Sequence, residues 1–183
     1  MVRFGCLLSI VLFACASLWA ATLEQLSLEE MVLQSSAIVR ARAVGSHSIR
    51  DGSLIYTIVE LEVLDQWKGE RVARREVALP GGQVGAFNQH FGGVPVLARD
   101  QEFVAFLWTG PSGRTQLLGL SQGFFEVARD ARGQMLVHRK PNADLMLDPR
   151  SSMPVPYPAI EMSLQALVTK IHAVSAAGGT TTP

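Results

Sequence analysis

Leu54–Gly69 reads LIYTIVELEVLDQWKG. Ile55, Thr57, Val59, Leu61 and Val63 fall on one side of an extended chain, and Tyr56, Ile58, Glu60 and Glu62 on the other. Alternation of period two kept up over this length marks a long, half-buried antiparallel strand. The flanking segments read as its partners. Upstream, Ala37–Ile49 alternates Val39, Ala41 and Ala43 with Arg40 and Arg42, and Asp51-Gly52 joins it to the long strand as a hairpin turn. Downstream, Glu76–Leu79 is a short third strand stopped by Pro80-Gly81-Gly82.

Phe103–Trp108 is apolar on both faces, as a central strand buried on two sides requires. Gln116–Leu120, Phe124–Ala128 and Met135–His138 continue the series, with Pro111-Ser112-Gly113 and Asp130–Gly133 as turns. Consecutive short strands separated by turns favour a meander or barrel over βαβ units. Near the start, Ser27 and Glu30 form a capping box for a short helix carrying Leu28, Met31 and Val32. Near the end, Ser163 caps a helix with Leu164, Leu167, Val168 and Ile171 at helical spacing. The expected fold is therefore mainly β: an antiparallel, OB-like, partly open barrel of 6–7 strands with a short N-terminal and a C-terminal helix.

The chain has 183 residues, 48% hydrophobic and 17% charged, with formal net charge +0. That supports one sizeable core and argues against disorder. It gives no broad field toward nucleic acid or an anionic membrane. Met1–Ala20 reads as a secretory signal, with Arg3 as its positive head and an apolar run too short for a bilayer span. The expected organisation is a signal peptide over 1–20, a β-barrel domain over 21–140, an extended segment and C-terminal helix over 141–175, and a disordered tail over 176–183. This predicts export to the periplasm or medium. Both cysteines, Cys6 and Cys15, lie in the signal, so the mature chain has no disulfide or thiolate site. Leu12–Cys15 resembles a lipobox, which leaves a lipid anchor at Cys15 as the alternative.

The order of these signals resembles an uncharacterised exported bacterial domain family. The matching pieces are Ala37–Gly45, Val63–Gly69, Leu79–Gly82, Asp100–Leu107 and Gly119–Val127. The resemblance implies an OB-fold barrel like that of tissue inhibitors of metalloproteinases, and a secreted protease as one candidate partner. That inhibitor class chelates the protease zinc through an N-terminal cysteine, which this mature chain lacks. The resemblance implies no catalytic residues.

Gly119-Leu120-Ser121-Gln122-Gly123 fits G-x-S-x-G, the nucleophile elbow of hydrolases. Asp130 or Asp144 and His138 or His172 could be written as partners. The elbow requires a helix after it, whereas Phe124–Ala128 reads as strand, so a turn is the simpler account. His47, His90, His138 and His172 form no metal-ligand spacing, and neither a metal nor a cofactor is expected. Glu60 and Glu62 face Arg40 and Arg42 as a cross-strand charge ladder. Lys68, Arg71, Arg74 and Arg75 beside Trp67 read as a solvated basic hairpin rather than a nucleic-acid groove.

Gln83–Asp100 shows no period and holds Phe87, Phe91, Val94, Val96 and Leu97, an apolar set for a loop. Long aperiodic loops in compact domains are commonly functional. Phe87, Asn88, His90, Phe91 and Val94 are the candidate binding residues. These apolar side chains either form an exposed patch or plug one end of the barrel. The function expected is an exported, non-enzymatic binding domain that meets another extracytoplasmic protein through Gln83–Leu97. The alternatives are a small serine hydrolase using Ser121 and a structural envelope protein anchored at Cys15.

Overall fold

The computed structural model describes residues 22–141, 145–157 and 159–178. The expected signal segment with Cys6 and Cys15, Asp144 and the last five residues of the expected tail lie outside the described residues.

The elements in chain order are β1 (Thr22–Glu24), α1 (Leu28–Gln34), β2 (Ala37–Asp51), β3 (Leu54–Lys68), β4 (Arg74–Pro80), β5 (Gly82–Val84), β6 (Phe87–Gln89), β7 (Glu102–Thr109), β8 (Thr115–Leu117), β9 (Phe124–Arg129), β10 (Met135–Arg139), β11 (Leu145–Leu147), β12 (Pro154–Val155), β13 (Ile160–Ser163) and α2 (Leu164–Gly178). The main sheet runs β13-β10-β9-β7-β2-β3-β4, with β8 also paired to β7, and every ladder in it is antiparallel. β4 curls back to lie near β8 without hydrogen-bonding to it. The sheet is therefore a partly open barrel, as the strand order in the sequence suggested.

Period-two alternation separates two cores. Inside the barrel lie Ala37, Val39, Ala41 and Ala43 of β2, Val59 and Leu61 of β3, and Phe103, Ala105 and Leu107 of β7. The alanines leave room for the Phe103 and Phe124 rings, whose centroids are 5.3 Å apart. On the outer face Ile38, Val104, Phe106, Phe125 and Val137 meet Met31 and Val32 of α1 and Leu164, Leu167 and Ile171 of α2. Residue by residue, Phe103–Leu107 alternates between the two cores, so β7 is buried on both faces. Each fully buried large side chain contributes about 1.5–3 kcal/mol.

The β2–β3 pairing is bulged. Ala41 pairs with Val63 but Arg40 with Asp65, so Leu64 is an extra residue; Val39 then pairs with Gln66 and Ile38 with Lys68, so Trp67 is another. Each extra residue flips the facing of the residues beyond it. The expected charge ladder is accordingly shifted. Arg42 meets Glu62 at 3.6 Å, but Arg40 reaches Asp65 and Glu102, both at 2.7 Å.

Four expectations are corrected. Gln83–Asp100 is not structureless, because β5 and β6 form a hairpin within it. The fifth strand ends at Leu117, not Leu120, because Gly119 and Leu120 take left-handed φ values of 60° and 54°. The expected plain segment 141–158 contains β11 and β12, and β11 pairs in parallel with β1. Finally, α2 continues through Ser175–Ala177 to Gly178, residues placed in the tail by the sequence. Both expected caps are present. Ser27 Oγ accepts from Glu30 N at 3.1 Å while Glu30 Oε2 accepts from Ser27 N, and Ser163 Oγ accepts from Ala166 N. The hydrogen bonds from Ser27 N–H and Ser27 Oγ–H hold the Glu30 carboxyl below its ordinary range. Among the described residues, no helix is long and apolar enough to cross a membrane.

Candidate functional site: the loop across the barrel mouth

The Leu79-Pro80-Gly81-Gly82 sequence turns the chain from β4 across the tip of the β2–β3 hairpin. Gly81 N donates to Ile55 O at 2.8 Å, and Thr57 Oγ1 donates to Gly81 O at 2.9 Å. Gly82 sits at φ +131°, where a Cβ would lie 2.5 Å from Thr57 Oγ1 and 2.6 Å from Ser48 Oγ. Only glycine fits there. The β5–β6 hairpin is then clamped by Gln89, whose amide accepts from Ile55 N and donates to Ser53 O, both at 2.7 Å. Arg50 stacks on the Phe87 ring at 4.8 Å.

From Gly93 the loop crosses to the far side of the barrel. Gly93 O accepts from Ser121 N at 3.1 Å, and Asp100 N donates to Ala43 O at 3.0 Å. Between these anchors Val94 and Leu97 pack on the barrel core. Phe87 is 60%, Phe91 37% and Val96 86% exposed. The apolar residues of the loop thus divide: Val94 and Leu97 plug the mouth, and Phe87, Phe91 and Val96 face solvent. Asn88 and His90 are exposed as well. His90, Phe91 and Val94 line a hollow of about 280 Å³ with Thr57, Leu79 and Gln89, while Phe87 and Asn88 stand outside it at the hairpin tip.

Ser121 belongs to a 3-10 turn, Leu120–Gly123, and strand β9, not a helix, follows. The glycines of the motif serve the turn. Gly119 is left-handed, and a Cβ on Gly123 would sit 2.5 Å from Leu118 O and 3.0 Å from Phe106 O. The residue between them that the sequence passed over is Gln122, only 1% exposed. Its amide accepts from Leu26 N at 2.7 Å and donates to Glu24 O at 2.8 Å.

Of the proposed acid and base partners, Asp130 caps its own turn through Arg132 N and Gln134 N, and His172 lies on α2 in a groove with Trp67 and Arg71. His138 does approach Ser121: both line a hollow of about 330 Å³ beside Gly93–Val96. The His138 ring Nε2 is 2.8 Å from Glu126 Oε2, and Lys140 Nζ donates to Glu126 Oε1 at 2.8 Å. Burial alone would raise the Glu126 carboxyl, but the hydrogen bonds from Lys140 and His138 outweigh it and leave the group below its ordinary range.

The basic cluster does not form one surface. Lys68 Nζ donates to Val32 O at 2.6 Å and Leu33 O at 3.0 Å, closing the C-terminus of α1, and burial lowers its pKa. Arg75 donates to Glu70 O, and Trp67 packs on the helix-side core. His47 is exposed on β2, and among the described residues no group of three His, Cys, Asp or Glu could hold a metal. A further residue invisible to pattern is Arg139, 5% exposed, stacked on Phe125 and Tyr157 at 5.3 and 4.4 Å with Nη1 donating to Gln122 O. Burial lowers its pKa, partly offset by Tyr157.

Against this geometry, no family model, curated protein or solved structure matches the chain.

Proposed function

We propose that this chain is an exported, non-enzymatic binding domain whose Gln83–Leu97 loop engages another extracytoplasmic protein. One observation carries the proposal: a loop pinned at both ends holds Phe87, Phe91 and Val96 in solvent. Exposed apolar groups on an anchored support suit protein recognition, since little ordering entropy is lost on binding. Export rests on the sequence of Met1–Ala20 and the family resemblance. The test is a Phe87→Ser/Val96→Ser double variant. Loss of partner capture at unchanged thermal stability supports the proposal, and undiminished capture rejects it.

A second reading has one observation in its favour: Ser121 shares its hollow with the hydrogen-bonded His138–Glu126 pair. A small serine hydrolase would label with a fluorophosphonate probe, and the label would vanish in Ser121→Ala. A protein that takes no label is not that enzyme. If Cys15 is lipidated, the same domain is tethered to a membrane, which mass spectrometry of the native N-terminus decides.

A further inference from the structure

The segment Val94–Ala98 spans from Gly93, fixed to Ser121, to Asp100, fixed to Ala43. Ser121 lies at the β9 end of β7, where Leu118 N reaches Phe106 O, whereas Ala43 lies beyond the opposite end, past the Arg42–Glu102 pair. Covering the length of a strand in so few residues demands an extended chain, at about 3.3 Å per residue. Pro95 biases Val94 the same way. Yet the segment belongs to no ladder. Among the described residues, the N–H groups of Val94, Val96, Leu97 and Ala98 donate to nothing, and the carbonyls of Val94–Leu97 accept nothing.

Backbone groups next to an apolar core are ordinarily paired. Here an extended run with unspent donors and acceptors is flanked by hollows of about 280 and 330 Å³. The larger hollow is bounded by His138, Arg139 and Lys140 against the single carboxylate of Glu126, among the described residues. Glu126 is already shared by Lys140 and His138, and the Lys140 side chain remains 70% exposed. The wall therefore carries uncompensated positive charge.

We infer that Val94–Ala98 is a docking edge for an extended, acidic peptide segment of the partner, which adds as a strand and seats a carboxylate beside Lys140. This rests on the proposed role of the loop and specifies the partner's chemistry. Main-chain pairing supplies affinity in such recognition, and alternate side chains supply specificity.

The experiment selects a phage-displayed library of random linear peptides on the purified full chain. The best synthetic peptide is then scanned by backbone N-methylation. The expected result is enrichment of peptides bearing Asp or Glu, with methylation at every second position weakening binding about tenfold and the intervening positions tolerant. Lys140→Glu weakens the acidic peptide by about tenfold, whereas Lys170→Glu on α2 leaves it unchanged. On the wild-type protein, peptide addition slows amide hydrogen exchange at Val96 and Leu97, a readout independent of any variant's folding. No enriched peptide, enrichment without acidic residues, or indifference to methylation overturns the inference. A peptide that needs Phe87 and Val96 but ignores methylation and Lys140 overturns this docking mode while leaving the loop's proposed role standing.

Discussion

Leu26 donates its backbone N–H to Gln122 Oε1 at 2.7 Å, and the same side chain returns a hydrogen bond to Glu24 O at 2.8 Å. A single buried amide thus does what a neighbouring strand would do, and it ties the N-terminal segment to the turn before β9. Removing it leaves a backbone donor and acceptor without partners. Gln122→Ala is expected to cost about 2–3 kcal/mol. Urea denaturation at constant m-value measures this, and a loss under about 0.5 kcal/mol contradicts the assignment.

Gly123 and Gly133 should respond to alanine for different reasons. At Gly123 the new methyl meets the Leu118 and Phe106 carbonyls, so the backbone has to move, and the cost should reach about 2 kcal/mol or more. At Gly133 there is open space and only a left-handed φ of 77°, worth about 1–2 kcal/mol. Equal and small losses in thermal denaturation would show that the turn is looser than described.

Lys68 supplies the cation that α1 lacks in its own last turn. Lys68→Met keeps the stem and removes both bonds to the helix carbonyls. An expected loss of about 1 kcal/mol is measurable by denaturation. Faster amide exchange confined to α1 would locate the effect.

Glu30, Glu126 and Asp148 all titrate below their ordinary values in the folded chain; Asp148 does so through hydrogen bonds from Ser151 N–H, the Ser151 hydroxyl and Arg150 N–H. Each therefore adds stability above the ordinary carboxyl range, and that stability is lost as pH falls through the lowered folded values. Melting temperature should decline on acidification below the ordinary glutamate value of 4.5. Glu126→Gln cannot titrate, so its melting temperature should decline less steeply than the wild type over that range. Parallel pH profiles would show that Glu126 does not contribute.

Much of this fold was legible in the sequence because its strands alternate cleanly. Ile55–Val63 and Phe103–Leu107 each place side chains by parity, and parity is local information. The bulges at Leu64 and Trp67 were not legible, since an extra residue in one strand is defined only by its partner. The β5–β6 hairpin was hidden because its residues pair across a turn too short to show a period. Helix starts were readable at Ser27 and Ser163, where a cap is a short-range motif. Gln122 and Arg139 were missed for a common reason. Each is a polar residue buried by contacts from distant segments, and nothing nearby in the chain announces that.

Affinity purification from the native host, comparing the wild type with Phe87→Ser/Val96→Ser at matched thermal stability, tests the central claim most directly. Gln89, which pins the loop, is left intact in that variant, so the scaffold is preserved. The account predicts one extracytoplasmic protein recovered with the wild type and lost with the double variant. Equal recovery with both would contradict it.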